Sequence, residues 1–219
     1  MSFLSIALGG GAIVVGHWYW RRSRNNRRSQ FIDGYRFPER LRLKLAETYP
    51  HLAPQQQEQV LQGLRDYFCL CRMAGRRMVA MPSQAVDVAW HEFILYTRQY
   101  GEFCRKGLGR FLHHTPSDAM PNAEVASAGI RRAWRLACIR EGIRPDQPTR
   151  LPLLFALDGE LGIADGFHYR LDCGAHPGSY RQGDIYCASH VGCGSGCASG
   201  CGGDASSGDG GGCGGGGGD

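Results

Sequence analysis

The sequence predicts a mainly α-helical protein: a helical bundle with a small β hairpin or irregular appendage, preceded by one transmembrane helix and followed by a disordered Gly/Cys-rich tail. Three observations predict it. From residue 31 to about 145, apolar residues recur at helical spacing between prolines placed to start and stop helices. The first twenty residues hold an uncharged apolar run that ends in aromatic residues and arginines. The last stretch is dominated by glycine. The chain divides accordingly into a transmembrane anchor at 1–20, a basic juxtamembrane linker at 21–30 and a helical domain at 31–145. A small strand and loop appendage at 146–190 and the tail at 191–219 follow.

The amino-terminal run, Phe3 to Trp20, has no Asp, Glu, Lys or Arg. As a helix it would reach roughly 27 Å, close to the ~30 Å of a bilayer core. Trp18, Tyr19 and Trp20 suit an interfacial aromatic belt. Arg21, Arg22, Arg24, Arg27 and Arg28 follow it, where a signal peptide would carry its basic residues in front. The expectation is a single-pass protein of the cell membrane, with its soluble body on the cytoplasmic side; a helix lying on the membrane surface is the alternative. Those five arginines equal the whole formal net charge of +5. The remainder is balanced, which argues against a nucleic-acid-binding surface.

Pro38 opens a first body helix with Leu41, Leu45 and Tyr49 on one face, and Pro50 ends it. Pro54 opens a longer one whose stripe is Val60, Leu64, Tyr67, Phe68 and Cys71. Pro82 and Ser83 open a third, with Ser83 as N-cap, running to about Lys106, where Gly107 and Gly109 stop it. A fourth covers about Ala123 to Arg140. Beyond Pro145, LPLLFALD has strand length between Pro152 and Gly159, and FHYRLDC, Phe167 to Cys173, alternates apolar and polar residues. These two segments form the expected hairpin. Fifteen of the 33 glycines fall within 192–219, among Cys, Ser, Asp and Ala. Such a stretch has no side chain to bury against a core and is expected to be a flexible appendage. Cys69, Cys71, Cys104 and Cys138 lie in helical, apolar contexts and read as buried free thiols.

The chemistry is concentrated between Met81 and Pro116. Asp87 and His91 are four residues apart, on one face of the third helix. His113 and His114 follow the glycine-broken helix end, so a tight return brings one of them back to His91. An Asp/His/His set suits zinc or another divalent metal of similar softness. The metal ligands expected are therefore Asp87, His91, His113 and His114. The order is not that of the HExxH zinc helix, since Phe93, Ile94 and Leu95 follow Glu92. The competing reading is a structural Asp87–His91 hydrogen bond that fixes helix packing, with His114 facing solvent.

The run VDVAWHEFILYTRQYGEFC, followed by FLHHTP, resembles the glycine-rich domain-containing protein-like family in its bacterial form. Asp87, Trp90, His91, Tyr100, Cys104, His113, His114 and Pro116 carry the resemblance. It implies a coherent helical domain around the motif and makes the Gly/Cys-rich tail a typical feature, and it brings no catalytic assignment.

No phosphate-binding loop, dinucleotide fingerprint or serine elbow occurs. The sequence predicts a membrane-anchored helical domain of unknown biochemical function, with a divalent metal at the Asp/His cluster as its candidate ligand. A non-metal interaction module with a structural Asp–His pair is one alternative, and a small metal-dependent hydrolase is the other. The partners expected are the membrane, a protein partner or a second copy joined through helices, and no nucleic acid.

Overall fold

The computed structural model describes residues 2–115, 123–171 and 185–187. Pro116, most of the 146–190 segment beyond Leu171 and the whole 191–219 tail lie outside the described residues. Seven α-helices form the body: α1 (Ser2–Asp33), α2 (Arg40–Thr48), α3 (Pro54–Ala74), α4 (Gln84–Leu95), α5 (Thr97–Phe103), α6 (Ala123–Glu141) and α7 (Leu153–Glu160). A π-helical turn, Cys104–Leu108, follows α5 directly. Two short strands, β1 (His168–Arg170) and β2 (Ile185–Cys187), pair in parallel.

α3 is the central element. It touches α1, α2, α4, α6 and α7. Its apolar stripe is carried nearly all round, with Val60, Leu61, Leu64, Phe68, Cys69 and Leu70 at 2 % exposure or less, as expected of a helix enclosed by others. Gly63 permits the closest approach. A Cβ there would lie 2.6 Å from a Leu157 methyl and 2.9 Å from a Val86 methyl, so α3, α4 and α7 meet over a bare backbone. Around Phe68, the rings of Phe37, Phe93, Phe103 and Trp90 meet edge-on or tilted, at centroid distances of 4.7–6.5 Å. This is the geometry that aromatic quadrupoles favour.

The membrane expectation is corrected. Among the described residues no helix is long and apolar enough to cross a membrane. α1 runs without a break from Ser2 through the arginines to Asp33. Its last turns belong to the body: Ile32 is fully buried, and Asp33 accepts a 2.6 Å hydrogen bond from Arg140 of α6. Gly9, Gly10, Gly11, Gly16 and His17 lower the mean hydropathy of the run, and the glycines lower its helix propensity. The transmembrane helix, the single-pass topology, the membrane as partner and the cell-membrane location all rested on that run, and they fall with it.

The hairpin is corrected as well. LPLLFALD forms α7, not a strand. Pro152 precedes its first turn, and the amides of Phe155 and Ala156 bond back to the Pro152 carbonyl. Leu154, Phe155, Ala156 and Leu157 are all buried. A short apolar run with no period fits a buried helix as well as a strand, and here packing against α3, α4 and α6 decides. The strand in FHYRLDC is real but short, and its partner β2 runs parallel, in the register His168–Ile185. A parallel pair excludes a tight hairpin.

Cys69, Cys71, Cys104 and Cys138 are buried free thiols. Burial pushes Cys69 and Cys71 up to about 12 and Cys138 up to about 11, and it raises Cys104 too. Thiol reagents should therefore leave these four unmodified in the native protein, as peptide mass spectrometry would show. A sign for pH follows. An unfolded thiol ionises near 9. Above that pH the unfolded chain releases protons that the native state retains, so stability falls as pH climbs from 9 towards 12. Melting temperatures measured across pH 8 to 11 check this. A flat profile would contradict it.

Candidate metal centre

α4 sets the site. Ser83 caps it, its Oγ accepting from the Val86 amide, as expected from the sequence. The N-terminus of α4 is also held by a residue the sequence reading missed. Asp158, at the end of α7, is 1 % exposed. Its Oδ1 accepts from Ser83 Oγ at 2.6 Å and from the Ala85 amide at 3.3 Å. Its Oδ2 accepts from the amides of Gln84 at 2.6 Å and Phe167 at 2.9 Å. A carboxylate at a helix N-terminus is doubly favoured, by the free amides and by the helix dipole. The only sequence signal was an acid closing an apolar run.

Asp87 stands in the first turn of α4, and Trp90 and His91 stand one turn further along. The helix was expected to continue to Lys106. It breaks instead at Tyr96, whose φ of −80° and ψ of 57° turn the chain into α5. The π-helical turn and Gly109, with φ of 75°, then reverse it. This return carries Leu112, His113 and His114 back across α4. Two ring groups hold it there. Tyr100 donates its hydroxyl to the Leu112 carbonyl at 2.5 Å and accepts from Trp90 Nε1 at 3.2 Å. The Trp90 ring meets the His114 ring edge-on at 4.6 Å. Trp90 and Tyr100 thus act as positioning residues for the histidine segment.

The result brings Asp87, His91 and His114 together. His114 Nε2 lies 3.0 Å from Asp87 Oδ1, and His91 Nδ1 lies 3.7 Å from Asp87 Oδ2. The two imidazole centroids are 4.2 Å apart. One ligand atom from each residue lies within 4.8 Å of the others. A tetrahedral ion at ~2.0–2.2 Å from each ligand would need separations of about 3.4 Å, so a small closure of the side chains suffices. A cluster able to coordinate a divalent metal is present. His113 lies outside this group: its ring meets Phe111 at 4.8 Å, and it lines the neighbouring cavity.

The burial is the reverse of a structural Asp87–His91 pair with an outward His114. The His91 side chain is 54 % exposed, against 14 % for His114 and 20 % for Asp87. The cluster sits on the wall of a cavity of about 860 Å³, whose apolar lining includes Met78, Met81, Leu112 and Ile130. That volume suits a small organic ligand.

Tyr100→Phe tests the positioning role. It leaves the Trp90 indole N–H without its acceptor and frees the Leu112 carbonyl. The expected loss is about 1–3 kcal/mol of stability and ~10-fold in metal affinity, as for supporting residues in general. Denaturation and metal titration of the variant give both numbers, and unchanged values in both would remove Tyr100 from the site.

No curated protein matches the chain, and no solved structure does. A family match covers residues 27–191, which takes in the end of α1, all the other helices, both strands and the whole Asp87–His114 constellation. By that match the chain belongs to the UCP032817-like family.

Proposed function

We propose that this is a metal-binding helical domain in which Asp87, His91 and His114 hold a divalent ion, zinc first among them, at the wall of the large cavity. The observation that carries the reading is the convergence of two imidazoles and a carboxylate from separate segments, with ligand atoms within 4.8 Å of one another. Imidazole and carboxylate suit zinc and its neighbours better than calcium or magnesium. His113, on the cavity wall, is the further ligand or proton carrier within reach of the same space. The resemblance of the Asp87–Pro116 motif to the bacterial glycine-rich domain-containing protein-like family belongs to this proposal. So does the division into a helical domain at 31–145 with a segment at 146–190 and a tail at 191–219.

The cavity favours one second reading, a small metal-dependent hydrolase. Catalytic zinc sites use three protein ligands and keep a position open to substrate, whereas structural sites are closed by four. Three ligands facing a ligand-sized cavity match the first pattern. A metal there supplies Lewis acidity to a carbonyl or phosphoryl oxygen.

The test is metal uptake by the full-length chain. After chelation and dialysis, zinc titration should show one equivalent bound by this cluster, with a matching rise in melting temperature. Because the cysteine-rich tail also offers thiols, the same titration on Asp87→Asn separates the two: the cluster's equivalent must vanish. A wild type indistinguishable from Asp87→Asn, unmoved by chelator, would leave an interaction module with a structural cluster.

A further inference from the structure

The cavity beside the metal cluster is electrically lopsided. Arg76, Arg77, Arg110 and Arg131 line it, and Asp87 is the one carboxylate among its lining residues. Among the described residues none of the four guanidinium groups is paired with a carboxylate. By contrast Arg40, Arg42, Arg65, Arg140, Arg144 and Arg150 all are. A metal ion on Asp87, His91 and His114 would cancel that single negative charge and leave the wall still more positive. Arg76, Arg77 and Arg131 are exposed, so this positive charge is open to an anion arriving from solvent.

The wall is also built in advance. Its arginines come from three elements: the α3–α4 connection, the segment after the π-helical turn, and α6. These are tied together by hydrogen bonds. Arg110 directs Nε and Nη2 at the Gly75 carbonyl, at 3.0 and 2.7 Å. This fastens the post-turn segment to the loop that bears Arg76 and Arg77. Arg132 of α6 donates to the Met78 carbonyl of the same loop. Gly75, at φ of 66°, allows the turn there. So the backbone carriers of the positive charge are fixed relative to one another, and the guanidiniums that remain exposed face the same space.

The rest of the lining is mixed, with Met78, Met81, Leu112 and Ile130 supplying apolar surface and Gln84, Thr115 and Ser127 polar groups. The combination is a partly apolar wall, a positive rim and a metal corner. A carboxylate would leave most of this charge unanswered. A phosphate monoester carries about −1.5 to −2 at neutral pH with three acceptor oxygens, and guanidinium forks match phosphate oxygens in pairs.

We propose that the arginine-lined cavity binds a small phosphate monoester, its phosphoryl group held between the arginines and the metal corner and its apolar body against Met78, Met81 and Ile130. The inference rests on the metal reading for that corner, and on the arginines alone for the rim.

The experiment titrates full-length, zinc-loaded protein with phenyl phosphate, inorganic phosphate and phenol by calorimetry. Phenyl phosphate should bind, inorganic phosphate about tenfold more weakly for want of an apolar body, and phenol not measurably. The double variant Arg76→Ala/Arg131→Ala removes two exposed side chains from opposite carriers of the rim. It should weaken phenyl phosphate at least about tenfold and leave zinc stoichiometry and melting temperature unchanged. Equal affinity in wild type and double variant overturns the proposal, as does phenol binding as well as phenyl phosphate. Zinc uptake is read separately. If wild type takes up no zinc, the metal reading fails. Arginine-dependent binding of phenyl phosphate by that protein would still support the rim, and its absence would overturn both.

Discussion

Asp158→Ala should destabilise the protein by about 3–5 kcal/mol, because it leaves several buried donors unpaired at about 1–3 kcal/mol each, only partly additive. Asp158 joins α7 to the start of α4 and to the segment before β1. Its two oxygens take the Ser83 hydroxyl and the amides of Gln84, Ala85 and Phe167. The first three belong to the start of α4, and the last leads into β1. With alanine, a hydroxyl and two or three amides lose their acceptor in a place water does not reach, and each unmet group carries its own penalty. The surroundings cannot close over the loss. Gly166 already sits so near that a Cβ on it would lie 2.6 Å from the Asp158 Cβ. Asp158→Asn keeps the volume but turns an amide donor towards donors, and roughly half the loss is expected. Against a total stability of ~5–15 kcal/mol, the alanine variant stands near unfolding at 37 °C. Urea denaturation measures both variants, and a loss under about 1 kcal/mol for alanine would deny Asp158 its role. Asp87 lies on the first turn of the helix that Asp158 anchors, so metal uptake should weaken in step with the fold.

The helices of the body could be read from the chain because their signals are local. Pro54 and Ser83 stand where α3 and α4 begin, and the stripe Val60, Leu64, Tyr67, Phe68 and Cys71 is buried as its spacing requires. The misreadings share a cause: a property of one segment was judged without its neighbours. The run from Phe3 to Trp20 looks like a lipid-seeking helix in isolation, yet α1 continues through it into a body held by Ile32 and by the Arg140–Asp33 pair. LPLLFALD has no period to read, and only contact with α3, α4 and α6 makes it a helix. Asp158 was invisible for the same reason, since its partners at the start of α4 lie about 75 residues away in sequence. At the site, the four-residue spacing of Asp87 and His91 marks one helical face. The choice of His114 over His113 for the cluster depends on the break at Tyr96, the π-helical turn and the Tyr100 hydrogen bond. None of these has a signature in the bare sequence.

The histidines should separate in the metal-free protein and coincide in the loaded one. His114 is three-quarters covered or more, and its ring packs on Trp90 while its Nε2 meets the Asp87 carboxylate. His114→Ala loses an aromatic contact and a hydrogen bond to a charged group, about 1–3 kcal/mol together. His91 is half exposed, and at 3.7 Å its ring nitrogen is beyond hydrogen-bond reach of Asp87. His91→Ala should change metal-free stability by no more than about 0.5 kcal/mol. Metal reverses the ranking of importance. A ligand lost from a set of three costs more than the ~10–100-fold of a supporting residue, so both variants should fail to take up zinc at concentrations that saturate wild type. Binding to the folded state alone adds about 4 kcal/mol when free metal is a thousandfold above Kd. Wild type should show that gain, and neither variant should. A purely structural cluster predicts another pattern: a loss in His114→Ala, none in His91→Ala, and no response to zinc in any of the three. His91→Ala that retains the full zinc-dependent gain would remove His91 from the ligand set and overturn the three-residue site. The exposed histidine is thus the sharper probe, because its contacts with the His114 ring at 4.2 Å and with Asp87 at 3.7 Å are weak ones until an ion joins the three.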